Sequence, residues 1–128
     1  MGKTKKRTVL IVENQPNYTQ SLVKQILFAG LNPVVAITGE GGVKKAVECH
    51  PDLILFEAEL SDMDGLRFVS ELKRCQQTER IPIIAISAFP HLKDRCLQGG
   101  CNDFLQKPIR MIELMARVRQ FLRPDSNP

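Results

Sequence analysis

Three stretches of the chain are apolar without interruption: Val9-Leu10-Ile11-Val12, Leu53-Ile54-Leu55-Phe56 and Ile83-Ile84-Ala85-Ile86. Runs that do not alternate predict strands buried on both faces, as in a parallel sheet. Val34-Val35-Ala36-Ile37 predicts a further strand, and Asp103-Phe104-Leu105-Gln106 a shorter last one. Between the strands the apolar positions recur at helical spacing. Tyr18, Leu22, Val23, Ile26 and Leu27 form one stripe, opened by Asn14 as a cap and Pro16 in the first turn and stopped by Gly30. Val43, Ala46 and Val47 form a short second stripe that ends near His50-Pro51. Leu66, Val69 and Leu72, with Phe68 beside them, mark a third helix. Leu92, Cys96 and Leu97 mark a fourth, closed by Gly99-Gly100, and Ile112, Met115, Val118 and Leu122 a fifth after Pro108.

Strand and helix thus alternate five times, which implies an open, doubly wound α/β sandwich. Right-handed crossovers are nearly obligatory in such units. The functional crevice of these sheets lies beyond the carboxyl ends of the strands, where strand order reverses. The informative residues are therefore those that follow each strand: Glu13-Asn14, Glu57, Ser87 and Lys107. Acidic oxygens with an amide oxygen suit a hard cation such as Mg²⁺. A hydroxyl and a lysine suit the oxygens of a phosphoryl group. Together they predict a magnesium-dependent phosphoryl site.

Composition narrows the class. The chain has 128 residues, the length of one domain, with 43% hydrophobic and 25% charged residues, which is near the globular average. No apolar run approaches a membrane span, and the four apolar residues Val9–Val12 are too few for a signal peptide. The four cysteines, Cys49, Cys75, Cys96 and Cys101, form no C-x-x-C pair, and His50 and His91 lack ligand-like spacing. Reduced thiols, a cytoplasmic location and no zinc are the expectation. The net charge of +4 comes from Lys3, Lys5, Lys6 and Arg7, because the remaining 14 basic residues match the 14 acidic ones. Residues 1–7 are expected to be a basic flexible tail, 8–122 the domain, and 123–128 a tail or the start of a linker. Nucleic acid is not an expected partner.

The ordered set Val9-Leu10-Ile11-Val12-Glu13-Asn14, P-D-L-I-L-F-E at 51–57, L-S-D-M-D-G at 60–65, I-P-I-I-A-I-S-A at 81–88 and D-F-L-Q-K-P at 103–108 resembles the receiver domain of bacterial two-component response regulators, chemotaxis-regulator type. The resemblance covers residues 8–122. It implies a flavodoxin-like (βα)5 fold with a parallel five-stranded sheet in the order 2-1-3-4-5. It also implies a phosphoacceptor position at Glu57, an acid-pair position at Glu13 and Asn14 for Mg²⁺, a metal ligand in the backbone carbonyl of Glu59, and phosphoryl-oxygen ligands in Ser87 and Lys107. Ser87 and Phe104 fall on the family's switch positions, and Lys107-Pro108 on a pair whose peptide is commonly cis.

Three departures bear on function. Glu57 stands where the family has an aspartate, with its carboxylate displaced by one methylene. Such misplacement costs about 10²-fold in rate. Asn14 stands where the family has a second acid, which removes a negative charge from the metal position. Ser61 stands where a proline is usual. The longer Glu57 is expected to reach toward Ser87 or Lys107.

The expected function is an atypical receiver, a protein-interaction module of phosphorelay signalling without ordinary aspartyl phosphorylation, with no required cofactor and with Mg²⁺ binding weakened or lost. It is not expected to be an enzyme. The resemblance implies a protein partner on the face of the fourth helix, fifth strand and fifth helix, with a histidine kinase, an output domain or a second copy as candidates. That face carries His91, Lys93, Asp94, Arg95, Phe104, Arg110, Arg117 and Arg119. Two alternatives stay open: a phosphotransfer-competent receiver using Glu57 or a nearby acid with Mg²⁺, and a flavodoxin-like domain that binds a small ligand or nucleotide. Asp62 and Asp64 are expected to be turn residues capping the third helix. Gly39-Glu40-Gly41-Gly42 is expected to be a turn and helix start, and Cys96, Cys101, Met111 and Met115 packing residues.

Overall fold

The computed structural model of the protein describes residues 6–60 and 62–122. Ser61, most of the basic tail and the segment 123–128 lie outside the described residues. Five strands, β1 (Thr8–Val12), β2 (Asn32–Ala36), β3 (Leu53–Glu57), β4 (Ile83–Ser87) and β5 (Asp103–Gln106), alternate with five helices. The helices are α1 (Pro16–Phe28), α2 (Gly39–Cys49), α3 (Gly65–Lys73), α4 (Lys93–Gly99) and α5 (Met111–Leu122), and a 3-10 turn at Pro90–Leu92 leads into α4.

The strands form one parallel sheet in the order β2-β1-β3-β4-β5. Order reverses between β1 and β3, whose registered pairs run from Val9–Leu53 to Val12–Phe56. Side chains alternate between two cores, as strand geometry requires. Leu10, Val12, Ile54, Phe56, Ile83 and Ala85 pack under α2, α3 and α4 with Phe68, Val69 and Leu72. Val9, Ile11, Leu53, Leu55, Ile84 and Ile86 pack under α1 and α5 with Leu22, Ile26, Leu114 and Val118. Uninterrupted apolar runs follow directly from this arrangement, because both faces of the central strands are covered.

Several local expectations change. Ile37 is not in β2, which starts earlier, at Asn32, and Ile37 is 66% exposed beyond the strand's end. Pro33 sits within β2 because that strand is at the sheet edge, where a missing amide is tolerated. Leu27 and Leu97 are exposed, and Ile112 is 84% exposed, since the sheet receives Leu22, Ile26, Leu114 and Met115 instead. Asn14 does not cap α1. Gln15 holds the cap position with no side-chain cap hydrogen bond, and its side chain turns to Lys107 instead.

The two loop aspartates split their work. Asp64 caps α3, accepting from the Leu66 amide at 3.2 Å. Asp62 reaches instead to the start of α2, where the Gly39 and Glu40 amides donate at 2.8 and 3.1 Å. Thr38 takes the Gly41 amide at 2.9 Å, so the exposed first amides of α2 are satisfied from two directions. Arg7, placed with the basic tail by sequence, is half-buried and donates to the Leu122 carbonyl, which ties β1 to the end of α5.

Candidate functional site

At the carboxyl edge of the sheet the residues picked out by position converge on one crevice. A cavity of about 570 Å³ is lined by Asn14, Gln15, Tyr18, Glu57, Glu59, Ala88, Phe89, Lys107 and Pro108. Ser87, hydrogen-bonded to Glu59 and Phe89 of this lining, is fully buried, while Glu13 and Glu57 are 1% and 4% exposed.

Lys107, at the end of β5, is the cation of the crevice, and its side chain is nearly buried. It donates to Glu57 Oε1 and, at 3.2 Å, to Gln15 Oε1. Glu13 Oε1 is 3.4 Å from Lys107 Nζ but accepts no hydrogen bond, while Glu13 Oε2 accepts the Gln15 amide at 3.2 Å. The Tyr18 ring lies under the ammonium, 4.0 Å from Nζ to the ring centre. Burial pulls the Lys107 ammonium down, yet its bond to Glu57 and the charges of Glu13 and Glu57 outweigh that and raise its pKa. Burial pushes the Glu13 carboxyl up against the pull of Lys107. The Lys107-Pro108 peptide is cis.

Glu57 Oε2 accepts the Glu59 amide at 3.2 Å, so both of its oxygens are occupied. It reaches Lys107 and not Ser87. Ser87 donates its proton to the side chain of Glu59, and its oxygen accepts the Phe89 amide at 2.9 Å. Glu59 thus enters the site through its carboxylate, a role the sequence reading gave only to its backbone carbonyl. Desolvation and the neighbouring Glu57 carboxylate push the Glu59 carboxyl up to about 7, with Ser87 pulling the other way. Glu59 lies beside Glu57 because the chain bends directly after β3, which turns the Glu59 amide back onto the Glu57 carboxylate. Gln15 and Tyr18 were also missed, because only the bend after β1 brings them onto Lys107. Phe104 is 8% exposed and packs inward, in the core cluster that contains Ala85, Cys96 and Cys101.

Glu13, Asn14 and Glu57 are the side chains that a Mg²⁺ ion at this edge of the sheet would face. Among the described residues no three His, Cys, Asp or Glu side chains are arranged to hold a metal ion. The space between Glu13 and Glu57 is held by the ammonium of Lys107, and Asn14 brings no charge. The four cysteines are free, Cys96 and Cys101 buried, and burial pushes the Cys101 thiol up to about 12. No helix among the described residues is long and apolar enough to cross a membrane.

The family model for the response regulator receiver domain matches residues 9–119. The chain is 32% identical over 118 residues to the DNA-binding dual master transcriptional regulator RpaA of Synechocystis, covering 90% of this chain and 48% of that protein. It is 30% identical over 118 residues to the polar-differentiation response regulator DivK of Brucella ovis, covering 91% of this chain and 96% of that one. The chain spans about half the length of the transcriptional regulators it matches. Among solved structures, the receiver domain of a Pseudomonas aeruginosa sensor histidine kinase has a TM-score of 0.86 at 28% identity, covering 94% of this chain and 100% of that one. That structure has a magnesium ion coordinated in its active-site cleft. A two-component response regulator from Clostridium difficile has a TM-score of 0.85 at 25% identity, covering 92% and 97%.

Proposed function

The chain belongs to the response-regulator receiver domain family, and from that premise we propose that it is an atypical receiver, a signalling interaction module that works without ordinary aspartyl phosphorylation. One observation carries the proposal. The carboxylate at the acceptor position, Glu57, has Oε1 on the Lys107 ammonium and Oε2 on the Glu59 amide. A nucleophilic carboxylate must present a free oxygen to an incoming phosphoryl group in near-attack geometry, and this one has both oxygens engaged. Weakened Mg²⁺ affinity belongs to the same reading. The cation between Glu13 and Glu57 is the chain's own lysine, and Asn14 offers an amide where an acid would draw a divalent ion.

The partners of such a module are proteins: a histidine kinase that would dock without transferring its phosphoryl group, or an output domain. The face built from α4, β5 and α5 is the proposed contact. Arg117 there is tied by ion pairs to Asp103 and Glu113, which orders α5 against the end of the sheet.

The test is incubation with Mg²⁺ and acetyl phosphate followed by intact-mass measurement. The mass is expected to stay unchanged. A gain of one phosphoryl group mapped to Glu57 would sink the proposal in favour of a phosphotransfer-competent receiver.

A further inference from the structure

Three donors at the crevice are taken by carboxylate oxygens of the chain itself. Lys107 Nζ gives to Glu57 Oε1, the Glu59 amide to Glu57 Oε2, and the Ser87 hydroxyl to Glu59 Oε2. We propose that Glu57 and Glu59 together are a built-in occupant of this pocket, filling with their own carboxylates the donor set that would otherwise take a tetrahedral oxyanion. This goes further than the loss of acceptor chemistry at Glu57, on which it rests, and it makes Glu59 the residue that decides what the pocket refuses.

The hydroxyl of Ser87 shows why Glu59 is needed. It is fully buried, and its oxygen already accepts the Phe89 amide, so its proton needs an acceptor inside the protein. A buried donor left without one is destabilising, because its lost bond to water is not replaced. Glu59 supplies that acceptor. Charge points the same way. A phosphoryl group carries about −1.5 to −2 at neutral pH, and two adjacent carboxylates bring a comparable charge to the same donors. An arriving oxyanion would have to break charge-assisted hydrogen bonds and join Glu57 and Glu59 in one cavity. The Ser87–Glu59 bond also fastens the segment after β4 to the segment after β3, and the Phe89 amide rides on the same hydroxyl.

Removing the occupant is expected to create the site. The probe is inorganic phosphate, titrated against the wild type and a Glu57→Ala/Glu59→Ala double variant. Sodium chloride at matched ionic strength is the control, and thermal unfolding is followed. The double variant is expected to show a saturable rise in Tm, about 4 °C at ten times its dissociation constant, while the wild type follows the chloride control. A saturable rise of the same size in the wild type overturns the proposal, and so does a double variant that only follows chloride. Should the double variant not fold, NMR of the wild type decides: a slowly exchanging Ser87 hydroxyl proton coupled to the Glu59 carboxyl supports it, and exchange at the bulk rate overturns it. The two layers fail separately. A phosphoryl adduct on the wild type defeats the reading beneath, whereas indifference to phosphate in the double variant defeats this inference alone.

Discussion

A lysine whose side chain is nearly buried must be answered by its surroundings, and Lys107 meets Glu57, Glu13, Gln15 and the face of Tyr18. Exposed ion pairs contribute little, but removing one member of a buried pair leaves an uncompensated charge and costs about 3–5 kcal/mol. Lys107→Ala is therefore expected to lower unfolding free energy in urea at pH 7 by about that amount. Glu57→Gln in the same background is expected to recover part of it, because it removes one of the stranded charges. A loss below about 1 kcal/mol would mean that water reaches Glu13 and Glu57 freely. At this scale the sequence was informative about position and poor about direction. Glu13, Glu57, Ser87 and Lys107 were legible because each stands at the carboxyl end of a strand. Glu57 pointing to Lys107 while Glu59 takes Ser87 was not, because those choices depend on donors from β4 and β5, far along the chain.

Among the elements, α2 is held at its start by a residue from another loop. It is short and glycine-rich at its start, so its first turn is held by Thr38 and by Asp62 from the loop after β3. Asp62→Ala is expected to cost about 0.5–2 kcal/mol, the usual loss for a helix cap, while Asp62→Asn keeps most of the bonding. The pH dependence follows from the same contacts. The Gly39 and Glu40 amides hold the Asp62 carboxyl below its ordinary value of 3.8. The unfolded chain then binds this proton at a higher pH than the folded one. The contribution is complete above pH 3.8 and fades as pH falls through the folded value. Wild type minus Asp62→Asn in acid unfolding curves should shrink below that point; a constant difference would deny the carboxylate its role. Gly42 has a packing reason instead. An added Cβ would meet Val12 Cγ2 at 2.8 Å and Phe68 Cε1 at 3.0 Å, where α2 crosses β1 and α3. Gly42→Ala is expected to destabilise by about 1–3 kcal/mol in denaturant unfolding, although alanine favours helix. The element types were legible from periodicity. Which loop aspartate served which helix was not, since Asp62 and α2 meet only after β3 has been laid beside β1.

For the whole molecule, a receiver fold carries Asn14 and Glu57 at its crevice, and exchanging these two residues tests what the fold still supports. Asn14→Asp with Glu57→Asp adds one negative charge and shortens one side chain at the edge of an otherwise intact sheet. Mg²⁺ is expected to bind the double variant at least roughly tenfold more tightly than the wild type, since each added charge pair near a protein surface is worth kilocalories. Tyr18 is the only tyrosine in a chain without tryptophan, and its ring lies against Lys107, so its fluorescence reads the titration directly. Equal affinities would mean that the frame has moved away from metal binding at more than these two positions. The sequence by itself determined the alternation of strands and helices, the burial of both sheet faces and the identity of the strand-end residues. These rest on local periodicity and on apolar runs that only a covered parallel sheet explains. The tertiary structure decided which donor met which carboxylate, that Lys107 stands between the acids, and that Glu59 accepts the Ser87 hydroxyl. Such pairings join residues tens of positions apart, and their energies depend on desolvation, which exists only once the strands have come together.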